Sequence, residues 1–391
     1  MQDILYNGLD ELYQEMVDIR RYLHQHPELS FQEVETPAYI AAYHRKLGHE
    51  VRTGVGERGV VAVLRGAKPG KTVALRADFD ALPIQDEKEV PYKSQVAGVM
   101  HACGHDGHTA TLLVLAKVLN GLKEHLAGNV VFIHQHAEEM SPGGAIAMVE
   151  DGCLEGVDAI FGTHLWATLP SGHVFYRSGP IMAAADRFEI EIVGQGGHGG
   201  SPHMTRDALV VGAQLVTTLQ QLVSRRVDPI ECAVVSIGSF HAGNAFNVIA
   251  DRAYLQGTAR SYSADVRDLV EREIRRIVEG TCLSADVTYD MNYVRGYPPV
   301  VNHENETEFL ATLARAVPAV KGVSEIAPQM GGEDFAYYLE HVPGTFFFTG
   351  ARHPYWEVTY PHHHPKFDID EGAMLVAAQT LGSAALSYLA Q

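Results

Sequence analysis

The sequence predicts an α/β fold of two domains, a discontinuous α/β domain interrupted by an inserted α+β domain. Three observations predict it. Strand-like and helix-like patterns alternate from residue 3 to residue 163, strict period-two alternation takes over near Ala183, and helical patterns resume after residue 297. The length of 391 residues, at ~150 per domain, allows two or three domains.

Taken in order, residues 3–25 and 35–47 read as helices, and 60–65 and 72–77 as short apolar strands. Residues 106–122 read as a helix, 129–134 as a buried strand, 143–150 as a helix and 159–163 as another buried strand. The segment GVGERG (54–59) fits G-x-G-x-x-G, but it precedes a strand where a dinucleotide fingerprint opens a helix, so it reads as a turn. From residue 183 the order is strand 186–193 (DRFEIEIV), helix 207–224, strands 232–240 and 251–260, helix 265–280 and strand 285–292. That β-α-β-β-α-β order is ferredoxin-like. A helix at 304–317, the segment 332–339 and a long C-terminal helix from about Glu371 complete the chain. The expected boundaries are 1–182 with 298–391 for the discontinuous domain, and 183–297 for the insert.

Composition narrows the function. Lys+Arg 30 against Asp+Glu 48 gives a net charge of −18, which disfavours nucleic acid or an anionic membrane surface as a partner. No stretch approaches ~18 uninterrupted apolar residues, and the acidic start MQDILYNGLDELYQEM has no basic stretch leading into an apolar one. Four scattered cysteines form no disulfide framework, so cytoplasmic residence is the expectation. Neither a phosphate-binding G-x-x-x-x-G-K-[ST] loop nor a G-x-S-x-G elbow occurs. The anomaly is 21 histidines, and they cluster.

MHACGHDGHT (100–109) gathers His101, Cys103, His105, Asp106 and His108 in a glycine-containing loop before a helix. A lone Cys or His is usually a core residue, but thiolate and imidazole on one turn can converge on zinc, nickel, cobalt or manganese. A second cluster, His134-Gln-His136-Ala-Glu138-Glu139, ends a buried strand, where ligands of open α/β sheets gather. Of two neighbouring carboxylates there, one can bind metal while the other stays free as a base. His164 ends the next buried strand; Asp78 and Asp80 close an earlier one, placed to orient a metal-bound imidazole. PHHHP (361–365) holds three histidines between prolines; an exposed polar loop or an adventitious metal clip is its less favoured reading. The His134/His136 pair also suits barrel-type metal hydrolases, but the element count lacks eight βα units.

Together these segments resemble the M20 metallopeptidases, in the branch of aminoacylases, hippurate hydrolases and auxin-conjugate hydrolases. The resemblance runs through RRYLHQHPELSFQE, LRADFDALPIQDE, MHACGHDGHTA, HAEE, GTHLW, GGHGGSPH, FNVIADRAYLQGTAR, GGEDFAYY and HHPKFDIDE. It implies a catalytic domain holding two divalent metal ions (Mn, Zn, Co or Ni) through Cys103, His105, Glu139, His164 and His363. Glu138 is the implied general base and Asp80 the orienting carboxylate. The insert is the implied lid and dimerisation domain, with His198 reaching an active site, in related enzymes that of the partner subunit. Asn247 and Arg260 fall where the family contacts the substrate's carboxylate end. The sequence departs from the family at His136, which stands in the proline position of Q-P-A-E-E, and at Ala250, which stands for the proline of N-V-I-P. Among the three histidines, His363 is chosen because the family's ligand lies two positions before the proline.

The implied activity is hydrolysis of the amide bond of N-acyl-L-amino acids by a metal-activated water, in a homodimer or homotetramer. The alternatives are a dipeptidase or carboxypeptidase of the same family, and a non-catalytic metal-dependent ligand-binding protein. The intact Glu138/Glu139 pair argues against the last.

Overall fold

In the computed structural model, which describes residues 1–391, the apolar runs of the first half become neighbouring strands of one sheet. The chain divides into two compact units. The first comprises Met1–Ile181, Val301–Ala327 and Asp334–Gln391, and the second Met182–Val300 and Pro328–Glu333. Residues 328–333, which the sequence reading leaves within 298–391, cluster with the second unit.

In spatial order the first unit's sheet runs Glu50–Val55, Gly59–Arg65, Ala127–Gln135, Lys68–Asp78, Ala159–Pro170, Gly344–Arg352, His173–Tyr176 and Gly322–Glu325. The four strands from Ala127–Gln135 to Gly344–Arg352 are mutually parallel. Their carboxyl ends therefore share one rim, and the loops that leave it carry the histidines and acids. GVGERG is the turn between two antiparallel strands, with Gly54 and Gly56 at φ +71° and +59°. The helix His105–Gly121 packs against both Tyr13–Gln25 and Gly372–Leu389, and it and Gly372–Leu389 also pack against the sheet. Gly372–Leu389 is long and apolar enough to cross a membrane by length and composition, yet 78% of it is buried in this core.

Two differences from the sequence reading have physical causes. The helix expected over 3–25 breaks at Leu12 (φ −96°, ψ 8°) into Gln2–Glu11 and Tyr13–Gln25, with neither Gly nor Pro at the break to signal it. The strand Gly344–Arg352 is absent from the sequence reading, because its short central Phe346–Phe348 run has no period to distinguish strand from buried helix. Phe346, Phe347 and Phe348 are fully buried there, each contributing about 1.5–3 kcal/mol.

Beside the sheet, three buried histidines form a hydrogen-bonded row. His44 Nδ1 lies 2.9 Å from His49 Nδ1, and His44 Nε2 lies 2.9 Å from His134 Nε2. Burial pushes their pKa values down from 6.5, to about 2 for His44, about 4 for His49 and about 3 for His134. The unfolded chain binds these protons first, so stability is full above pH 6.5 and declines as pH falls below it. His44→Phe should flatten that decline by about one proton, ~1.4 kcal/mol per pH unit, in urea midpoints measured from pH 7 to 4.5. Equal slopes in both proteins would contradict the assignment.

The second unit has the β-α-β-β-α-β order, with strands Ala184–Val193, Ala233–Ala242, Arg252–Ser261 and Thr288–Val294 and helices Ala208–Arg226 and Ala264–Ser284. The antiparallel sheet runs Ala233–Ala242, Arg252–Ser261, Ala184–Val193, Thr288–Val294, the ferredoxin-like arrangement. Phe188, Ile190 and Ile192 alternate inward under both helices. Asp207 caps the first helix through Leu209 and Val210 N–H, and Ser263 caps the second through Val266 N–H.

Candidate metal centre

The centre grows from three chain reversals that side chains alone do not favour. Gly104 (φ +100°) turns the chain between Cys103 and His105, where only glycine adopts that backbone freely. Ala137 (φ +51°) precedes Glu138 and Glu139, and His363 itself lies at φ +65°. Left-handed non-glycine residues cost energy and gather at functional sites.

Hydrogen bonds decide which imidazoles have a free lone pair. His105 Nδ1 donates to Asp80, 3.0 Å to the backbone oxygen and 3.1 Å to Oδ1, which leaves Nε2 buried and without a hydrogen-bond partner. His164 Nδ1 donates to Leu165 O at 3.0 Å, and its Nε2 faces Cys103 Sγ at 3.4 Å. Glu139 Oε1 has no hydrogen-bond partner and lies 3.9 Å from His105 Nε2, and Oε2 lies 3.3 Å from His363 Nε2. Cys103 Sγ, His105 Nε2 and a Glu139 oxygen lie within 4.8 Å of one another. Cys103 also belongs to a second such group, with His164 and His362.

Asp78, His105 and His108 form a third convergent group, but both ring nitrogens of His108 are engaged. Nδ1 donates to Asp78 Oδ1 at 2.6 Å, and Nε2 accepts Leu165 N–H at 2.9 Å. His108 therefore supports the wall and cannot offer a lone pair. Asp106 belongs to none of these groups, and its Oδ2 accepts from Arg20 Nε and His24 Nδ1.

The electrostatics favour a dication. Burial raises the Cys103 thiol well above its usual range, with Glu139 and Glu138 adding to the effect. A bound divalent cation reverses that and holds the thiolate. Burial opposes charge on His105, yet Asp78, Asp80 and Glu139 outweigh it and push the ring up to about 10. Burial holds His164 well below 6.5, in the neutral form that ligates. Orphaned Nε2 and Oε1 atoms, a buried thiol and surrounding carboxylates together fit divalent metal.

The site residues expected from sequence fall in both units. Cys103, His105, Glu138, Glu139, His164, His363 and Asp80 converge in the first, with Glu138 Oε2 4.0 Å from His105 Nε2. His164 sits inside its strand and not at its end, because Ala159–Pro170 runs on beyond the Gly162 limit of its ladder with Lys68–Asp78. His198 and Asn247 adjoin in the second unit, where Gly199 N donates to Asn247 O and Val248 pairs with His198. Arg260 is separate from them, half-buried without a hydrogen-bond partner, in a cavity of about 500 Å³ with Ser236, Ser239, Gln256 and Thr258.

Sequence reasoning gave no role to His362, whose Nδ1 lies 3.8 Å from Cys103 Sγ and whose Nε2 accepts Ala167 N–H at 3.3 Å. It also missed Arg76, which bonds Asp78 and Asp334. Neighbouring histidines are indistinguishable by spacing, and an arginine within a buried strand is a signal that could have been read.

Residues 74–387 match the sequence profile of peptidase family M20/M25/M40. The chain belongs to this family. M20 members are hydrolases, and this chain is a metal-dependent one. It is 58% identical over 388 residues to a Bacillus subtilis protein whose name, amidohydrolase YhaA, gives no substrate, covering 99% of this chain and 98% of that one. It is 46% identical over 296 residues to N-acyl-L-amino acid amidohydrolase of Geobacillus stearothermophilus, covering 76% and 80%. Identity to thermostable carboxypeptidase 1 of Saccharolobus solfataricus is 41% over 377 residues, covering 96% and 95%. The solved M20 protein YXEP of Bacillus subtilis, described as a dinuclear metal binding peptidase, superposes with a TM-score of 0.84 at 36% identity, covering 98% and 99%. Membership of M20, that structural relative and the two donor groups meeting at Cys103 indicate two divalent ions.

Proposed function

We propose that this M20 enzyme hydrolyses the amide bond of N-acyl-L-amino acids, releasing a carboxylate and a free amino acid. The observation that carries the reading is the Glu138/Glu139 pair beside the buried thiol and imidazole donors. Relatives named for acyl amino acids support it.

Cys103, His105, Glu139, His164 and His363 hold the ions, with manganese, zinc, cobalt and nickel all suited to that donor mixture. When bound, the ions acidify water and polarise the acyl carbonyl. Glu138 takes the proton of the attacking water and passes it to the leaving nitrogen. Asp80 keeps the His105 ring oriented.

His198 stabilises the oxyanion. Gly200 N–H donates to His198 Nδ1 at 3.0 Å, so in the neutral ring Nε2 carries the proton and can donate. Arg260, with an unpaired guanidinium, receives the substrate carboxylate, and Asn247, which lies apart from it beside His198, joins it from the partner subunit of the dimer; the net charge of −18 repels that anion, so its recognition is local. The second unit acts as lid and dimerisation domain, in a cytoplasmic homodimer or homotetramer.

Carboxypeptidase or dipeptidase action uses the same chemistry, and the carboxypeptidase relative keeps it in view. The test sets N-acetyl-, N-benzoyl- and aminoacyl-methionine side by side on metal-reconstituted enzyme. The proposal expects the two acyl compounds to be cleaved at least ~10-fold faster, about 1.4 kcal/mol of transition-state discrimination. Faster cleavage of the free-amine substrate would assign a peptidase instead.

A further inference from the structure

The PELSFQE segment (27–33) has no part in the chemistry above, yet its loop supports the turn that carries Glu138. Glu28 fixes the loop to the following helix: Oε1 accepts Val34 and Glu35 N–H at 2.9 and 3.0 Å, and Oε2 accepts Thr36 N–H at 2.8 Å. From this anchored loop, Ser30 Oγ donates to Asp80 Oδ2 at 2.7 Å. Glu33, 1% exposed, reaches across so that Oε1 accepts Ala137 N–H at 2.9 Å. Arg58 Nη1 donates to Glu33 O at 2.7 Å and holds it from behind.

We propose that Glu33 is a positioning residue for Glu138: its carboxyl oxygen holds the Ala137 N–H and fixes the left-handed turn that aims the base. This rests on the reading of Glu138 as base. Two buried acceptors flank that residue, Glu33 on the Ala137 amide and Asp80 Oδ2 on the Glu139 amide at 3.0 Å. Ala137 at φ +51° has no intrinsic preference for its conformation, so an external bond must hold it. The other oxygen, Oε2, has no partner, so the contact needs one acceptor and no negative charge. Burial and the nearby Asp80 push Glu33 up to about 7 against its backbone hydrogen bonds, and a neutral amide is therefore a close mimic.

Glu33→Gln keeps the acceptor, Glu33→Asp keeps the charge but is one methylene too short, and Glu33→Ala keeps neither. The expected result is kcat within about twofold of wild type for Gln and about 10–100-fold lower for Asp and Ala. KM should stay within about threefold, with unchanged metal content. Hydrogen exchange in the peptide containing Ala137 should quicken in Asp and Ala but not in Gln. Wild-type kcat in Glu33→Ala, a Gln variant as impaired as Ala, or a loss explained by departed metal would overturn the proposal. If Glu33→Ala does not fold, the Gln–Asp comparison decides. If the wild type cleaves no amide, the reading of Glu138 falls, and the exchange pattern still decides whether Glu33 holds the turn.

Discussion

Replacing Glu138 with Gln is expected to lower kcat by about 10²–10⁴ while both metal ions remain bound. The change is nearly isosteric and removes only the ability to accept and return a proton. Metal retention follows from the donor set, because the two groups that meet at Cys103 draw on Glu139 and not on its neighbour. Glu139 is held for ligation by its own backbone, whose N–H donates to Asp80. Steady-state kinetics with metal analysis on the same preparation checks both halves. Undiminished turnover would remove Glu138 from the base role, and loss of metal would make it a ligand.

The largest stability effect is expected at Arg20, which is no member of the donor groups. Its guanidinium is fully buried and forms three ion pairs, to Asp106 at 2.9 Å, Asp368 at 2.7 Å and Glu371 at 3.3 Å. Burial disfavours its charge, but Asp106 and Asp368 outweigh that and keep it firmly protonated. Arg20→Leu leaves the fully buried Asp106 with His24 as its remaining ion-pair partner, a loss of about 3–5 kcal/mol. Arg20→Lys should recover part of it, since an ammonium cannot reproduce the planar fork. Urea unfolding of the metal-free proteins measures both, and a loss under ~1 kcal/mol for Leu would show the network to be dispensable.

The second unit was legible almost strand by strand, because DRFEIEIV and its neighbours alternate between a helix-covered face and a polar one. The first unit was less so: its central strands are buried on both faces and show no alternation, which conceals the strand Gly344–Arg352. Glu138, Glu139 and the Cys103 loop were readable from a general rule, that polar residues after buried strands meet at one rim. What could not be read was the allocation of lone pairs. His105 and His108 are three residues apart on one helix, yet Asp80 leaves the first ring a free Nε2 while Leu165 N–H occupies the second. That difference lies in tertiary hydrogen bonds, which no spacing encodes. His362 and His363 pose the same problem at adjacent positions.

A metal titration of chelator-treated enzyme, with free methionine released from N-acetyl-methionine measured at each ratio, tests the two-ion centre most directly. Negligible release is expected without metal, with a rise that levels off at two ions per chain. Full hydrolysis by metal-free protein, or none with two ions bound, would contradict it.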